Sequence, residues 1–452
     1  MFGSLRLLRL AHQRRSIPFS DRQNPGEIVQ QLNAHLPLAE APIAPAAEPR
    51  VRLVANTDIK KFSYKPMAMR LSESSEILDE RIDNFMAIVQ KHYGLEDSAF
   101  GNAASQSTGE IVAIGRIASD TPEGKLNPAS LVLETSRRMG AGLRVPLKID
   151  ALPSYQFFPG QIVAVRGTNA SGLYFSVSEI LPIPHLHMPV SSPLSIDGIN
   201  ERLGEQPLNV IFASGPYTAD DNLDFEPLQA LCEKAANDMA DAVVLTGPFL
   251  DIEHPLLAAG DFDTPDVKGA GQESTMSTLF RRWITVHLQR LCSAVPGIVI
   301  VLIPSVRDAI SKHVSWPQEQ LQKKDLALPK QVKMLPNPSF ISLNETIVAI
   351  SSQDILYELS REQISGGKIE LDLMTRLPGY LIDQRHFFPL FPPMSRDNLP
   401  KGVGIKATGA CLDLGYLKLG EWMNVRPDVL VMPSMLTPSV KVCVGKGLVV
   451  PS

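Results

Sequence analysis

From residue 208 onward the chain repeats one pattern, a short apolar run that stops at a proline or at Gly-Pro. Asn209 to Ser214 ends at Gly215-Pro216, Ala242 to Thr246 at Gly247-Pro248, Ile298 to Ile303 at Pro304, and Val429 to Met432 at Pro433. Short Val- and Ile-rich runs without polar alternation are strands covered on both faces. Helical stretches separate them. Pro227 to Met239 sets Leu228, Leu231 and Cys232 on one side, and Met276 to Ser293 is a second such stretch. Phe340 to Leu343 and Thr346 to Ser351 read as a hairpin turning at Asn344-Glu345. Apolar strands alternating with helices predict a buried, mainly parallel sheet flanked by helices, with functional groups collected at the strand C-termini.

The preceding stretch reads differently. Glu110 to Ile117, Ala129 to Glu134, Gly142 to Asp150, Gln161 to Gly167 and Leu173 to Ile180 are strands separated by turn signals such as Phe158-Pro159-Gly160 and Asn169-Ala170-Ser171-Gly172. Five short strands in so few residues predict a small closed barrel, with the OB-fold as the leading form. Before it, Ile77, Ile82, Phe85, Met86 and Val89 recur at helical spacing, so one amphipathic helix is expected, capped near Ser72 and ending near Gly94. Its apolar stripe requires a partner surface.

These readings divide the chain into a disordered tail (1–66), an amphipathic helical segment (67–105), an OB-fold domain (106–187), a proline-rich linker (188–206) and an α/β domain (207–452). The expected class is α+β multidomain. The first twenty residues carry Arg6, Arg9, Arg14 and Arg15 and no acid, which fits an unstructured tail in preference to a mitochondrial presequence. Within the linker, His185 and His187 lack a third ligand nearby, so no metal is expected there.

Composition narrows the function classes. No apolar run approaches the ~18 residues a spanning helix needs. Net charge is −5, without the overall basic balance of a chain that grips nucleic acid alone. Cys232, Cys292, Cys411 and Cys443 form no C-x-x-C pair, which favours a reducing compartment over a disulfide or zinc framework.

The strand ends carry the functional information. They read Gly215-Pro216-Tyr217, Gly247-Pro248-Phe249-Leu250-Asp251, Pro304-Ser305-Val306-Arg307-Asp308, Gln384-Arg385-His386 and Met432-Pro433-Ser434. The architecture resembles a calcineurin-like phosphoesterase, in which carboxylates, an asparagine and histidines at these ends hold two metal ions that activate water. Here proline stands where a bridging carboxylate belongs, and no asparagine-histidine pair follows the third strand. Asp251, Asp308 and His386 alone remain, too few for a dinuclear site. The resemblance therefore implies an inactive domain with no catalytic residue, no metal and no cofactor. Arg307 and Asp308 are expected to form an ion pair bracing a loop, with contact to a partner as the other reading.

An inactivated phosphoesterase domain following an OB barrel resembles the B subunit family of the replicative DNA polymerases, within it the branch serving polymerase alpha and primase. Gly215-Pro216-Tyr217-Thr218, Gly247 to Asp251, Pro304 to Asp308, Phe388-Pro389-Leu390-Phe391-Pro392-Pro393, Phe158-Pro159-Gly160-Gln161 and Gly124-Lys125-Leu126-Asn127 all follow that pattern. The resemblance implies a non-enzymatic scaffold in the nucleus, supporting primer synthesis. Its partners would be the zinc-containing C-terminal domain of the catalytic subunit and the primase subunits. It would meet DNA only indirectly and no membrane. Phe387, Phe388, Pro389, Phe391, Pro392 and Pro393 are the candidate partner interface, since aromatics held by prolines make rigid anchors. Both ends depart from the family pattern, and its final strand is expected to be missing. Two other classes stay open. One is a metallophosphoesterase with atypical ligands. The other is a single-strand-binding barrel using Tyr155, Phe157, Phe158, Tyr174 and Phe175 with Arg137, Arg138 and Arg144.

Overall fold

The computed structural model describes residues 19–23, 26–35, 42–121, 124–203, 206–219, 221–262, 275–311, 314–394, 412–422, 425–443 and 447–450. The Arg-rich start and Cys411 lie outside them.

Strands β2 (Ser107–Ser119), β3 (Leu131–Glu134), β4 (Arg144–Lys148), β6 (Ile162–Asn169) and β7 (Phe175–Leu181) close a barrel in the order β2-β3-β4-β7-β6, the OB arrangement expected. Alternate side chains of these strands, among them Ala113, Ile117, Leu131, Leu133, Val163, Val165 and Val177, fill the interior. The opposite face of β2 and β6 is apolar too, and helix α1 (Leu71–Tyr93) lies on it. Ile82, Phe85, Met86 and Val89 pack against Val112, Ile114, Ile162 and Ala164, which supplies the partner the stripe requires. Arg70, not Ser72, is the N-cap residue, and Gly94 closes the C-terminus at a φ of 62°, where a residue without Cβ is favoured.

The α/β domain has two sheets. Parallel strands β8 (Val210–Ser214), β9 (Ala242–Thr246), β10 (Val299–Ile303) and β11 (Val332–Met334) are ordered β11-β10-β9-β8. The second sheet runs β1 (Leu53–Ala55), β12 (Ser339–Leu343), β13 (Thr346–Ile350), β15 (Val429–Val431), β17 (Gly447–Val450) and β16 (Lys441–Cys443). The period of two explains the layering. Ala242, Val244, Val299 and Val301 face Ile341, Val348, Ile350 and Val431 of the second sheet. Val243, Leu245, Ile300 and Leu302 face the opposite way, into Leu228, Cys232, Leu288 and Leu291 of helices α3 (Glu226–Asn237) and Val286–Ala294. Outside the second sheet, Ala349, Leu430 and Met432 meet helices Ile355–Glu362 and Leu373–Gln384. The result is a helix–sheet–sheet–helix sandwich. No described helix is long and apolar enough to cross a membrane.

Three expectations are corrected. Residues 50–66 are not a loose tail: β1 pairs antiparallel with β12, Phe62 is buried, Tyr64 stacks on Tyr416 at 3.6 Å, and Arg50 lies 3.0 Å from Asp241. Val51, Leu53 and Ala55 alternate over too short a span to declare a strand. The proline-rich linker contains helix α2 (Pro193–Leu203), because Pro193 opens it and the Ser192 hydroxyl accepts the amide of Ser195 at 3.2 Å. The final strand expected to be missing is present: β17 runs parallel to β15, with Val429 opposite Leu448.

The two domains share a buried seam. Strand β5 (Ser154–Phe157), unforeseen in the sequence, pairs with β14 (Ile364–Gly367) of the α/β domain. Phe158 leaves the barrel altogether and is fully buried against Tyr380, ring centroids 5.0 Å apart. Gly160 has a φ of +91°, and a Cβ there would lie 2.7 Å from Pro389 O, so the close approach requires glycine.

Candidate functional site

The loops after β8, β9 and β10 meet at the end of the parallel sheet, as its topology requires. Gly215 and Gly247 permit the convergence. A Cβ on Gly215 would lie 2.9 Å from Pro248 N, and one on Gly247 would lie 2.7 Å from Ser305 N. Pro216 and Pro248 offer no side-chain ligand. Tyr217 is buried, its hydroxyl 3.1 Å from Ala213 O and 2.9 Å from Thr246 O, so it ties down its own strand. Burial and the nearby Asp308 push this phenol well above its ordinary value.

Asp308 is turned inward and is 3 % exposed. Its Oδ2 accepts the Ser305 amide at 2.7 Å, and Oδ1 accepts the amides of Phe249 and Leu250, the latter at 3.1 Å. One carboxylate thus caps the loops after β9 and β10. Burial pushes the carboxyl up to about 7, with the three amide donors pulling the other way. Asp308 does not pair with Arg307, contrary to expectation. The loop aims the two side chains apart, and the guanidinium takes Asp251, with Nε 3.0 Å from Oδ1 and Nη2 bonded to Oδ2. The Ser305 hydroxyl accepts the Arg307 amide at 3.2 Å.

His386 belongs to a different environment. Its Nε2 donates to Leu417 O at 3.0 Å and its Nδ1 accepts the Phe388 amide at 2.8 Å. Burial, reinforced by Arg81, lowers its pKa well below that of free imidazole, so the ring is neutral. With both nitrogens engaged it is a structural histidine, among Trp316 and Phe388. Pro433, two residues past the end of β15, is buried. His185 is paired with Asp383 at 2.9 Å.

The donor set therefore does not fit two metal ions. The carboxylates that remain are spent on amides and a guanidinium, and the histidine on backbone. Among the described residues no three His, Cys, Asp or Glu side chains form a group that would hold a metal.

The aromatic-proline segment is corrected in part. Phe387, Phe388 and Pro389 are buried. Phe387 packs edge-on against Phe340 and Trp422, with centroids 5.2 and 5.7 Å away, and Phe388 lies 5.5 Å from Trp316. They are core because they close the outer face of the second sheet. Only Phe391, Pro392 and Pro393 reach the surface, with Phe391 lying 5.2 Å beneath the Arg116 guanidinium. Of the aromatics expected to stack on bases, Phe157, Phe158 and Phe175 are buried, which removes them as stacking platforms; Tyr174 is exposed. Sequence reasoning missed Glu253 and Asp354, and named Gln384 without its role at the domain seam. An acid or amide in a loop or at a helix end declares no partner by its residue type.

Fold and site together define a class: an OB barrel fused by a buried seam to a phosphoesterase-type α/β domain whose strand ends carry structural contacts in place of a ligand set. Residues 75–183 match the family model for the OB domain of the DNA polymerase alpha B subunit, and residues 210–441 match that for the B subunit of DNA polymerases alpha and epsilon. The chain belongs to the family of DNA polymerase alpha B subunits. It is 38% identical over 418 residues to the DNA polymerase alpha B subunit of Schizosaccharomyces pombe, covering 92% of this chain and 69% of the relative. It is 38% identical to that of Saccharomyces cerevisiae, covering 84% of this chain and 56% of the relative. The bovine protein is 27% identical, with 95% and 66% covered. The chain thus spans between about half and two thirds of the length of these relatives.

Proposed function

We propose that this chain is a non-catalytic scaffold subunit of the polymerase alpha–primase assembly, acting in the nucleus during primer synthesis. It binds the zinc-containing C-terminal domain of the catalytic subunit and, through it, works alongside primase. The carrying observation is the strand-end chemistry. Asp308 is enclosed by three backbone amides and Asp251 by a guanidinium, so neither is free to ligate a metal or to move a proton. A site rebuilt in this way serves rigidity and surface, and the family membership supplies the assembly. Immunoprecipitation of the tagged full chain from its own cells tests the reading. Co-recovery of the polymerase alpha catalytic subunit and primase is expected; their absence, with the chain soluble, contradicts it.

A further inference from the structure

Arg307 projects from the loop after β10 toward two acids of the loop after β9. Besides its two bonds to Asp251, its Nη2 lies 3.2 Å from Glu253 Oε2. Glu253 is poorly provided for otherwise. Its side chain is 10% exposed, its Oε1 has no hydrogen-bond partner, and burial raises its pKa against the pull of Arg307. Asp354 is the N-cap of the helix Ile355–Glu362. Asp354 accepts the Tyr357 amide at 3.0 Å and the Met435 amide at 2.7 Å, which joins the loop after β13 to the loop after β15. One guanidinium from the loop following β10 therefore holds two carboxylates of the loop following β9, while Asp354 separately joins the loops following β13 and β15. In a two-metal phosphoesterase, cations at the strand ends perform this joining. A bidentate guanidinium has the fixed planar geometry to replace a ligand bond, and its charge cannot be titrated away.

We propose that Arg307 is a built-in counter-cation, permanently doing the architectural work of the metal ions by neutralising Asp251 and Glu253 and holding the loops after β9 and β10 together. The inference does not depend on the identity of any partner. Thermal melts of the full chain test it, comparing the unmodified protein, Arg307→Ala, and Arg307→Ala combined with Asp251→Asn and Glu253→Gln. Arg307→Ala is expected to melt several degrees lower, and removing the two orphaned carboxylates is expected to recover at least half of that loss. An Arg307→Ala melt equal to that of the unmodified chain overturns the proposal, as does a triple variant no better than the single. Should Arg307→Ala be insoluble, a soluble, cooperatively melting triple variant supports the proposal and an insoluble one contradicts it. Manganese chloride added to the unmodified chain is expected to leave the melt unchanged; a saturable rise shows that a metal still does this work and overturns the assignment.

Discussion

The side-chain amide of Gln384 makes both of its hydrogen bonds to one residue across the domain seam: Oε1 accepts the Ile162 amide at 2.8 Å, and Nε2 donates to the Ile162 carbonyl at 2.9 Å. Gln384 ends the last helix before His386, and Ile162 opens β6 of the barrel. The main-chain carbonyl of Gln384 accepts Arg81 Nη2 at 2.8 Å, which draws helix α1 into the same junction. Barrel, helix and sandwich therefore meet at one buried polar point, and a rigid two-domain body follows from it.

Gln384→Ala leaves the amide and carbonyl of Ile162 buried without partners. A penalty of about 1–3 kcal/mol for each of the two unsatisfied groups gives a loss of about 2–6 kcal/mol. Gln384→Glu is expected to do no better, since a carboxylate faces the Ile162 carbonyl. Urea denaturation measures both, and a loss below about 0.5 kcal/mol for either contradicts the role given to the seam.

Gly160→Ala places a methyl group against Pro389 O and the Phe391 amide, at a φ that L-residues rarely adopt. Backbone strain alone costs about 1–3 kcal/mol. The expected sign is faster proteolysis between barrel and sandwich, because the added carbon separates them. Unchanged cleavage kinetics would show that the approach is not tight.

Phe387→Ala removes a fully buried ring packed against Phe340 and Trp422. The expected cost is about 3–5 kcal/mol, read by thermal or urea unfolding. A variant of unchanged stability that loses only partner binding would restore Phe387 to the surface role first expected from sequence.

Glu358 gives a pH dependence. It is 1 % exposed, held by Gln353 Nε2 at 3.1 Å, with Asp354 and Glu362 adding negative potential. Burial, the largest cause, raises its pKa from 4.5 to about 8. The folded chain therefore binds more protons than the unfolded one between these values. The contribution is fully present below the lower value and is lost as pH rises through the upper one. Stability measured from pH 5 to 8 is expected to fall for the unmodified chain and to fall less for Glu358→Gln. Identical slopes contradict the assignment.

Much of the fold is legible in the residues where local pattern and tertiary need coincide. The strand Ala242–Thr246 matches its apolar run to the residue, since a run buried on both faces has no polar position to blur its ends. The loss of ligands is legible at Pro216 and Pro248, because proline carries no donor. What the residues do not declare depends on long-range pairing. Ser154–Phe157 finds its strand partner more than 200 residues away, and Leu53–Ala55 nearly 290 away. Arg307 and Asp308 are adjacent in sequence, yet one points to Asp251 and the other into backbone, a choice made by loop geometry and not by residue type. Phe387 and Phe388 resemble anchors because flanking prolines suggest a surface; only the second sheet, which they cover, shows otherwise.

The proposed function makes this body a docking scaffold without chemistry of its own. Co-expression with the zinc-containing C-terminal domain of the same organism's polymerase alpha catalytic subunit, followed by light scattering on the purified material, tests it most directly. A stable species with the mass of a 1:1 complex is the predicted result. A folded chain that elutes alone at its own mass, with the catalytic-subunit domain also folded, would contradict it.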